Sequence, residues 1–354
     1  MIAICEATRA CDLACRHCRA EAVPGRDAGE LSTEEACALL DRIRADFGPI
    51  LFVITGGDPL KRDDLEAIIA HGAGLGLSMG LTPSATPLLT GETLRRLHAA
   101  GLARLAISLD GADAATHDDF RGVAGTFARS IPLLEEARRL GLSTQINSSI
   151  GRHNEHQLPA LSQLGGLLGI SLWSVFLLVP TGRAGAEMLL TAAEHERTYR
   201  QLAGIALDPA TAFAIKTTAG QPYYRVLEQE RRRRGLSSPP RRGQGVNDGN
   251  GFVFVSHLGD ICPSGFLPLT CGNVRHDDLA TVYRDHPTFR RLRTPDELEG
   301  KCGHCPFNRV CGGSRSRTHA LTGDAYASDP TCVYQPALRP GAARGGTGDS
   351  AEVV

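Results

Sequence analysis

The chain has 354 residues, 42% of them hydrophobic, and a net charge of −1. That length allows a large core, and the charge balance gives no pointer to nucleic acid or an anionic membrane surface. No apolar run reaches the roughly 20 residues that span a bilayer, and Met1-Ile2-Ala3-Ile4 enters an apolar strand with no signal-type segment before it. The expectation is a cytoplasmic protein with neither membrane nor nucleic-acid partners.

In chain order, apolar runs alternate with amphipathic stretches. Strands are predicted at Ile2–Ala7, Ile50–Thr55, Leu77–Thr82, Ala103–Leu109, Ser143–Ile150 and Leu172–Val179. Helices are predicted at Thr33–Asp46, Asp63–Ala73, Glu92–Ala100, Phe127–Leu140, Asn154–Leu168 and Ala192–Leu202. Ser32-Thr33-Glu34-Glu35 reads as a capping box, and Gly48, Gly101 and Gly141 sit at helix ends. Successive β-then-α units imply an α/β fold with a parallel sheet and right-handed crossovers. The pattern fits an open doubly wound sheet or a barrel, full or partial.

Asp208–Val246 reads as a bridge with a strand at Ala212–Thr217 and a helix carrying Arg231–Arg234, a run without interleaved aromatics that reads as a solvated helix end. From Gly251 the character changes. Phe252–Val255, a turn at His257-Leu258-Gly259-Asp260 and Ile261-Cys262 predict a β-hairpin, followed by a cysteine-rich region with short helices. The Gly/Ala/Arg-rich end is expected to be disordered. The division expected is 1–205, 206–250, 251–338 and a tail at 339–354.

Eleven cysteines fall in two groups, within 5–37 and 262–332. In a reducing compartment such clustering points to metal or redox work rather than a disulfide framework. Cys11-Asp12-Leu13-Ala14-Cys15-Arg16-His17-Cys18 offers three thiols from the loop after the first strand and no obvious fourth ligand, whereas a closed structural zinc site uses four. A four-iron cluster held by three cysteines keeps one iron open for a small molecule. A degenerate zinc loop or three unrelated buried thiols are the other readings of the spacing. Strand-end loops build the active face of barrel-like α/β folds. His17 could lay its ring beside a ligand there. At the end of the second strand, Gly56-Gly57-Asp58-Pro59 allows a ligand close to the backbone.

These two motifs together resemble the radical S-adenosylmethionine superfamily. The resemblance covers roughly residues 1–200 and implies a partial (β/α)6 TIM-like barrel. It implies that Cys11, Cys15 and Cys18 hold a 4Fe-4S cluster whose open iron is chelated by S-adenosylmethionine. Gly56, Gly57 and Asp58 match the motif that binds the methionine amino group, with Asp58 in place of the usual Glu. Ser108 and Asp110, in Ser108-Leu109-Asp110-Gly111, match polar ligand contacts. Arg121 matches an arginine that pairs with the ligand carboxylate, Asn147 and Ser149 fall where ribose contacts are expected, and Val179 falls where backbone contacts to adenine occur.

Cys302-x2-Cys305-x5-Cys311 followed by Cys332 could bind zinc or an iron cluster by spacing alone. Gly251–Tyr334 resembles a SPASM or twitch domain, a small C-terminal Cys-rich iron-sulfur domain. This implies Cys302, Cys305, Cys311 and Cys332 as ligands of one auxiliary 4Fe-4S cluster. A further cysteine usual after the third is absent, with Gly312-Gly313-Ser314-Arg315 in its place. Cys262 and Cys271 are too few for a second closed cluster and read as buried free thiols; Cys5 and Cys37 read as core residues.

The whole chain is similar to radical enzymes of haem and haem d1 synthesis and to peptide maturases. Lys216-Thr217-Thr218 and Gly245-Val246-Asn247-Asp248-Gly249 are expected to face substrate, while Thr82-Pro83-Ser84-Ala85-Thr86 replaces an Asn-Gly turn found in many relatives. Starting at the first strand, the chain is expected to lack the N-terminal peptide-recognition domain of many peptide maturases. Three functions remain open: an oxidative modification such as decarboxylation or desaturation of a small molecule, maturation of a ribosomal peptide, and non-catalytic zinc binding. The first two imply a reducing partner such as flavodoxin or ferredoxin. Replacing Cys11, Cys15 and Cys18 together by Ala is expected to abolish 5′-deoxyadenosine formation from S-adenosylmethionine under dithionite, as followed by chromatography; surviving cleavage would refute this ligand assignment.

Overall fold

The computed structural model describes residues 1–237 and 245–337; the tail expected at 339–354 and residues 238–244 of the bridge lie outside the described residues. The strands are β1 (Ile2–Glu6), β2 (Leu51–Thr55), β3 (Ser78–Leu81), β4 (Leu102–Ser108), β5 (Ser143–Ile150), β6 (Leu172–Leu177), β7 (Ala214–Thr218), β8 (Phe252–Val255), β9 (Asp260–Cys262) and β10 (Gly272–Asn273). They form one sheet in the order β10-β9-β8-β1-β2-β3-β4-β5-β6-β7. From β8 to β7 all neighbours are parallel, while the pairs β8–β9 and β9–β10 are antiparallel. The result is a partial barrel that does not close, with β10 and β7 as its edge strands.

The helices of the barrel are α1 (Thr33–Phe47), α2 (Leu65–Gly74), α3 (Gly91–Ala99), α4 (Ala114–Arg121), α5 (Thr126–Arg139), α6 (Leu158–Leu168), α7 (Ala192–Ala206) and α8 (Pro222–Arg233). The Ser32/Glu35 capping box forms at the start of α1, and Gly48 caps its end. Gly101 and Gly141 lie one residue beyond the caps of α3 and α5. The short helix α4, which the sequence reading leaves as loop, starts on an Asp113 side-chain cap and stops at left-handed Gly122. Its eight residues carry too little apolar periodicity to be seen. It brings His117, Phe120 and Arg121 to the sheet end.

The strand alternation separates two faces. In β5, Thr144, Ile146, Ser148 and Ile150 are buried while Ser143, Gln145, Asn147 and Ser149 are partly exposed. The buried face joins the helices in one apolar core that includes Leu39, Ile43, Ile69, Leu105, Trp173 and Tyr199. The Trp173 indole N–H donates to Ser148 Oγ at 2.9 Å, so this large ring is buried with its polar atom satisfied. The other face lines the lumen.

The sheet runs across the division expected at 205 and 250. β7, from the bridge, pairs with β6, and β8, the first strand of the cysteine-rich part, pairs with β1. Glu6, at the end of β1, accepts from Arg19 at 2.7 Å and bonds His257 Nδ1 at 2.8 Å, tying β1 to the turn after β8. The Arg19 guanidinium also lies over the Phe254 ring. Beyond the hairpin, α9 (Leu279–Asp285), α10 (Pro287–Leu292), α11 (Gly300–His304) and α12 (Arg315–Thr322) complete the chain's described structure. Arg231–Arg234 is a self-paired helix end, with Arg232 on Glu228 and both Arg233 and Arg234 on Glu230. Among the described residues no helix is long and apolar enough to cross a membrane.

Arg317 of α12 is fully buried and fastens this last region to the barrel. It donates to the carbonyl of Ala219, just past β7, at 2.6 Å, and to Thr331 Oγ1 at 3.0 Å, and it pairs with buried Asp329 at 3.6 Å. Removing one partner of a buried pair leaves the other charge uncompensated. Arg317→Met is therefore expected to destabilise the protein by about 3 kcal/mol, read as an earlier midpoint in anaerobic denaturant unfolding; an unchanged midpoint would show that this tie is dispensable.

Candidate functional site

The loop after β1 is held by backbone contacts from the neighbouring strand ends. Gly57 N donates to Thr8 O at 2.8 Å and Asp58 N to Ala10 O at 2.7 Å. A Cβ on Gly57 would lie 2.4 Å from Ala10 O and 2.6 Å from Arg9 O, inside any real contact. The approach that requires glycine here is thus made by the cysteine loop itself. After β6, Arg183 N donates to Cys18 O at 3.1 Å, and a Cβ on Gly182 would lie 2.3 Å from that oxygen. Buried Glu30 accepts from Thr8 Oγ1 at 2.5 Å, bracing the loop's first residues.

Cys11, Leu13 and Cys15 form a small buried cluster with Cys18 packed on it. Each of the three thiols faces one N–H group: Leu13 N at 3.4 Å from Cys11 Sγ, Arg121 Nη1 at 3.7 Å from Cys15 Sγ, and Ala22 N at 3.4 Å from Cys18 Sγ. Ser84 Oγ lies 3.4 Å from Cys11 Sγ and donates to Gly57 O at 3.1 Å. Burial pushes the Cys11 and Cys15 thiols above the ordinary range. Thiolates here therefore call for a cation to replace the proton. N–H donors on three thiols grouped in one loop fit the three-cysteine mount of an iron-sulfur cluster.

Around the loop, Asp58 is fully buried and its carboxylate is committed to the turn after β3. It accepts from Thr86 Oγ1 at 2.8 Å, Leu60 N at 3.2 Å and Ser84 N at 3.3 Å, and burial raises its pKa. The Thr82–Thr86 segment therefore supports the Gly-Gly-Asp turn and Cys11 at once. Asp110 accepts from Ser149 N at 2.7 Å and pairs with Arg121 at 2.6 Å. Burial opposes its charge, but the Arg121 guanidinium holds its carboxyl below the usual range. Arg121, expected on a ligand carboxylate, is thus already neutralised between Asp110 and Cys15. His117 Nδ1 accepts from Asp110 N at 3.0 Å, and burial pushes the imidazole down to about 4, keeping it neutral.

His17 stacks on Phe120 with centroids 4.0 Å apart, and Phe120 stacks on His153 at 3.8 Å. Burial takes His17 down to about 3, so the stack is uncharged near neutral pH. Ser108 and Asn147 share a level in the lumen below, where Asn147 Oδ1 accepts from Gln145 Nε2 at 2.6 Å. Val179 is buried and its carbonyl accepts from Thr181 N at 2.8 Å, closing the turn that leads to Gly182. Glu30, Ser84, Thr86, Phe120, His153 and Gly182 escaped the sequence reading; of these, only the Thr82–Thr86 turn carried a signal.

Cys302, Cys305, Cys311 and Cys332 line one pocket with Arg225, Lys301, Asn308 and Tyr334. Asp329 N lies 3.3 Å from Cys302 Sγ and Gly313 N 3.3 Å from Cys311 Sγ, while the backbone N–H groups of Phe307 and Tyr334 face Cys305 and Cys332. Arg315, standing where a further cysteine is usual, is buried and directs a guanidinium N–H to Cys302 Sγ at 3.6 Å. Burial raises the Cys305, Cys311 and Cys332 thiols, the strongest shift falling on Cys311. Among the described residues no three His, Cys, Asp or Glu side chains converge on a single-ion site, so the fit to a cluster rests on the donor pattern.

The other cysteines differ. Cys271 Sγ donates to Leu269 O at 3.3 Å, as a protonated thiol does, and Cys262 is buried with its thiol pushed up to about 12. Cys5 lies in the core, but Cys37 is partly exposed on α1 rather than buried, because its helix position falls beside the buried stripe of Leu39, Leu40 and Ile43. Gly245–Gly249, expected at the substrate, instead braces the second cysteine group. Asn247 Nδ2 donates to the carbonyls of Cys311 and Gly313, and Asp248 Oδ2 accepts from Ser316 N at 2.8 Å.

A partial parallel barrel with a three-thiol loop at its first strand end defines an iron-sulfur barrel enzyme. The chain belongs to the radical S-adenosylmethionine superfamily: residues 5–164 match the Radical SAM superfamily model. It is 41% identical to the AdoMet-dependent heme synthase of Oleidesulfovibrio alaskensis, over 96% of this chain and 88% of that protein. It is 29% identical to the PqqA peptide cyclase of Rhodopseudomonas palustris, over 94% and 86% of the two chains. Streptococcus suis SuiB bound to S-adenosylmethionine shares the fold, with a TM-score of 0.72 at 18% identity over 94% of this chain and 77% of that one. The protein is thus a radical S-adenosylmethionine enzyme with a 4Fe-4S cluster, and non-catalytic zinc binding is set aside.

Gly57→Ala is expected to displace residues 8–10 and lower the iron reconstituted anaerobically by about one cluster, measured by iron and sulfide assay. Full iron content would show that the loop tolerates the added methyl.

Proposed function

We propose that this enzyme forms haem, or a close iron porphyrin, by oxidative decarboxylation of carboxylate side chains on its precursor. The observation that carries this reading is the 41% identity to an AdoMet-dependent heme synthase over 96% of the chain. The likeness to a peptide cyclase is 29%, which keeps peptide maturation as the second reading.

In this reading Cys11, Cys15 and Cys18 hold the open cluster. When bound, it supplies one electron to S-adenosylmethionine, whose cleavage gives methionine and a 5′-deoxyadenosyl radical that takes a hydrogen atom from the substrate. The chain's own residues orient and shield this event. Gly56, Gly57 and Asp58 shape the turn beside the loop, and the ion pair of Asp110 and Arg121 fixes charge next to Cys15. The neutral stack of His17, Phe120 and His153 presents an apolar wall that keeps water from a reactive radical. Ser108, Asn147, Ser149 and the Val179 turn form the sheet end against which the nucleoside would lie.

Losing a hydrogen atom and then carbon dioxide from an adjoining carboxylate leaves the substrate with a new double bond and one electron to give up. The pocket of Cys302, Cys305, Cys311 and Cys332 suits an electron acceptor, an auxiliary 4Fe-4S cluster, because four N–H-bonded thiols and the Arg225, Lys301 and Arg315 cations surround it. Hydrogen bonds to sulfur and nearby positive charge raise a cluster's potential. A flavodoxin or ferredoxin would supply the electron for cleavage.

With an iron porphyrin deuterated on its carboxylated side chains, S-adenosylmethionine and dithionite, deuterium is expected in 5′-deoxyadenosine by mass spectrometry, with carbon dioxide released. No transfer from such porphyrins, together with transfer from a peptide, would replace this reading by the second.

A further inference from the structure

A cation in the barrel lumen has no partner and no role in the site described above. Strand register places Ser108, Asn147, Ser174 and Lys216 in one row across β4, β5, β6 and β7, all on the lumen face. The next row toward the strands' N-terminal ends is Ala106, Gln145, Leu172 and Ala214, with Arg104 opposite Ser143 at the floor. Arg104 is exposed, whereas Lys216 is half-buried. Among the described residues neither has a carboxylate within ion-pair distance, and the Ser174 hydroxyl beside Lys216 is fully buried without a hydrogen-bond partner. Burial lowers the pKa of Lys216 and the nearby Arg104 charge lowers it further. The lumen thus holds two like charges, one of them poorly hydrated, with uncharged polar groups around them.

Such an arrangement is unfavourable in isolation and favourable once an anion enters. The choice of lysine is itself informative. Of 38 basic side chains only Lys61, Lys216 and Lys301 are lysines. Lys61 pairs with Asp12, and Lys301 bonds the Cys332 carbonyl. Only Lys216 lacks such a partner, and its compact ammonium takes a single anionic oxygen where a guanidinium fork would need more width. The row also lies at a useful depth. Ser108 is two residues before Asp110, so the row sits roughly 7 Å along the strands from the level of the Asp110–Arg121 pair beside Cys15.

We propose that Lys216 is the carboxylate anchor of the substrate chamber, with Arg104 extending the positive floor and Ser174 completing the hydrogen-bonding shell. It holds one carboxylate side chain of the substrate while another part is presented to the radical. This rests on the haem reading, which supplies a substrate with several carboxylates.

The test is anaerobic titration of the holoenzyme with iron coproporphyrin III and with its tetramethyl ester, followed by the porphyrin absorbance, for the wild type, Lys216→Met and Lys216→Arg. The wild type is expected to bind the acid at least about tenfold more tightly than the ester. Lys216→Met is expected to lose about that factor for the acid while matching wild type for the ester, and Lys216→Arg to keep part of it. Equal acid binding by wild type and Lys216→Met overturns the anchor and leaves the haem reading standing. A wild type that binds ester and acid alike does the same, without depending on how any variant folds. A wild type that binds neither porphyrin overturns the haem reading and with it the ground for this anchor.

Discussion

The structure depends on one close approach: the backbone of the cysteine loop is clamped between the strand-end loops of β2 and β6. Gly57 and Gly182 present no side chain where the carbonyls of Ala10 and Cys18 press in, at distances that any Cβ would violate. Two backbone hydrogen bonds on the β2 side and one on the β6 side set the loop's position. A loop offering three thiols has little internal structure of its own, because its residues form neither helix nor strand. Its shape must be imposed from outside, and backbone-to-backbone contact does so more rigidly than side chains would. The Gly-Gly-Asp turn thus has a structural duty prior to any ligand contact.

Charge is then arranged around sulfur. Buried thiols resist ionisation, as the raised values of Cys11, Cys15, Cys305, Cys311 and Cys332 show. An N–H group from the local chain or from an arginine faces the sulfur of each of the seven predicted cluster ligands. At the first loop, ionising the raised thiols calls for a bound cation in place of the proton, which couples assembly of that site to loading. Cys271, donating its own proton to a carbonyl, shows the opposite arrangement and marks a thiol outside that scheme.

Much of this architecture is legible in the sequence because period-2 strands and capped helices each carry a local signature. β5 falls at Ser143–Ile150 as predicted, and the Ser32/Glu35 box forms. What escapes is set by tertiary contact. Helix α4 is too short to show a period, yet it supplies Phe120 and Arg121. The role of Arg121 depends on Asp110, eleven positions earlier and in contact only once α4 has folded. Asn247 and Asp248 are expected to face substrate from their place flanking the bridge, but carbonyls more than sixty residues on claim Asn247. Cys37 reads as core because buried thiols are common, whereas the helix phase leaves it partly exposed.

The single sheet also explains how two cysteine groups, nearly three hundred positions apart in sequence, can serve one chamber. β8 extends the barrel beside β1, so the second group begins on the same sheet that ends in the first. On the other edge, Arg317 ties α12 to Ala219 immediately after β7, while Asn247 and Arg315 tie that region to the loop around Cys302 and Cys311. The strand carrying Lys216 and the region of the four-thiol pocket are therefore parts of one hydrogen-bonded structure. In the proposed reading, a substrate held at Lys216 sits in the same framework as both cysteine groups. Neither cysteine loop could supply that geometry without the sheet between them.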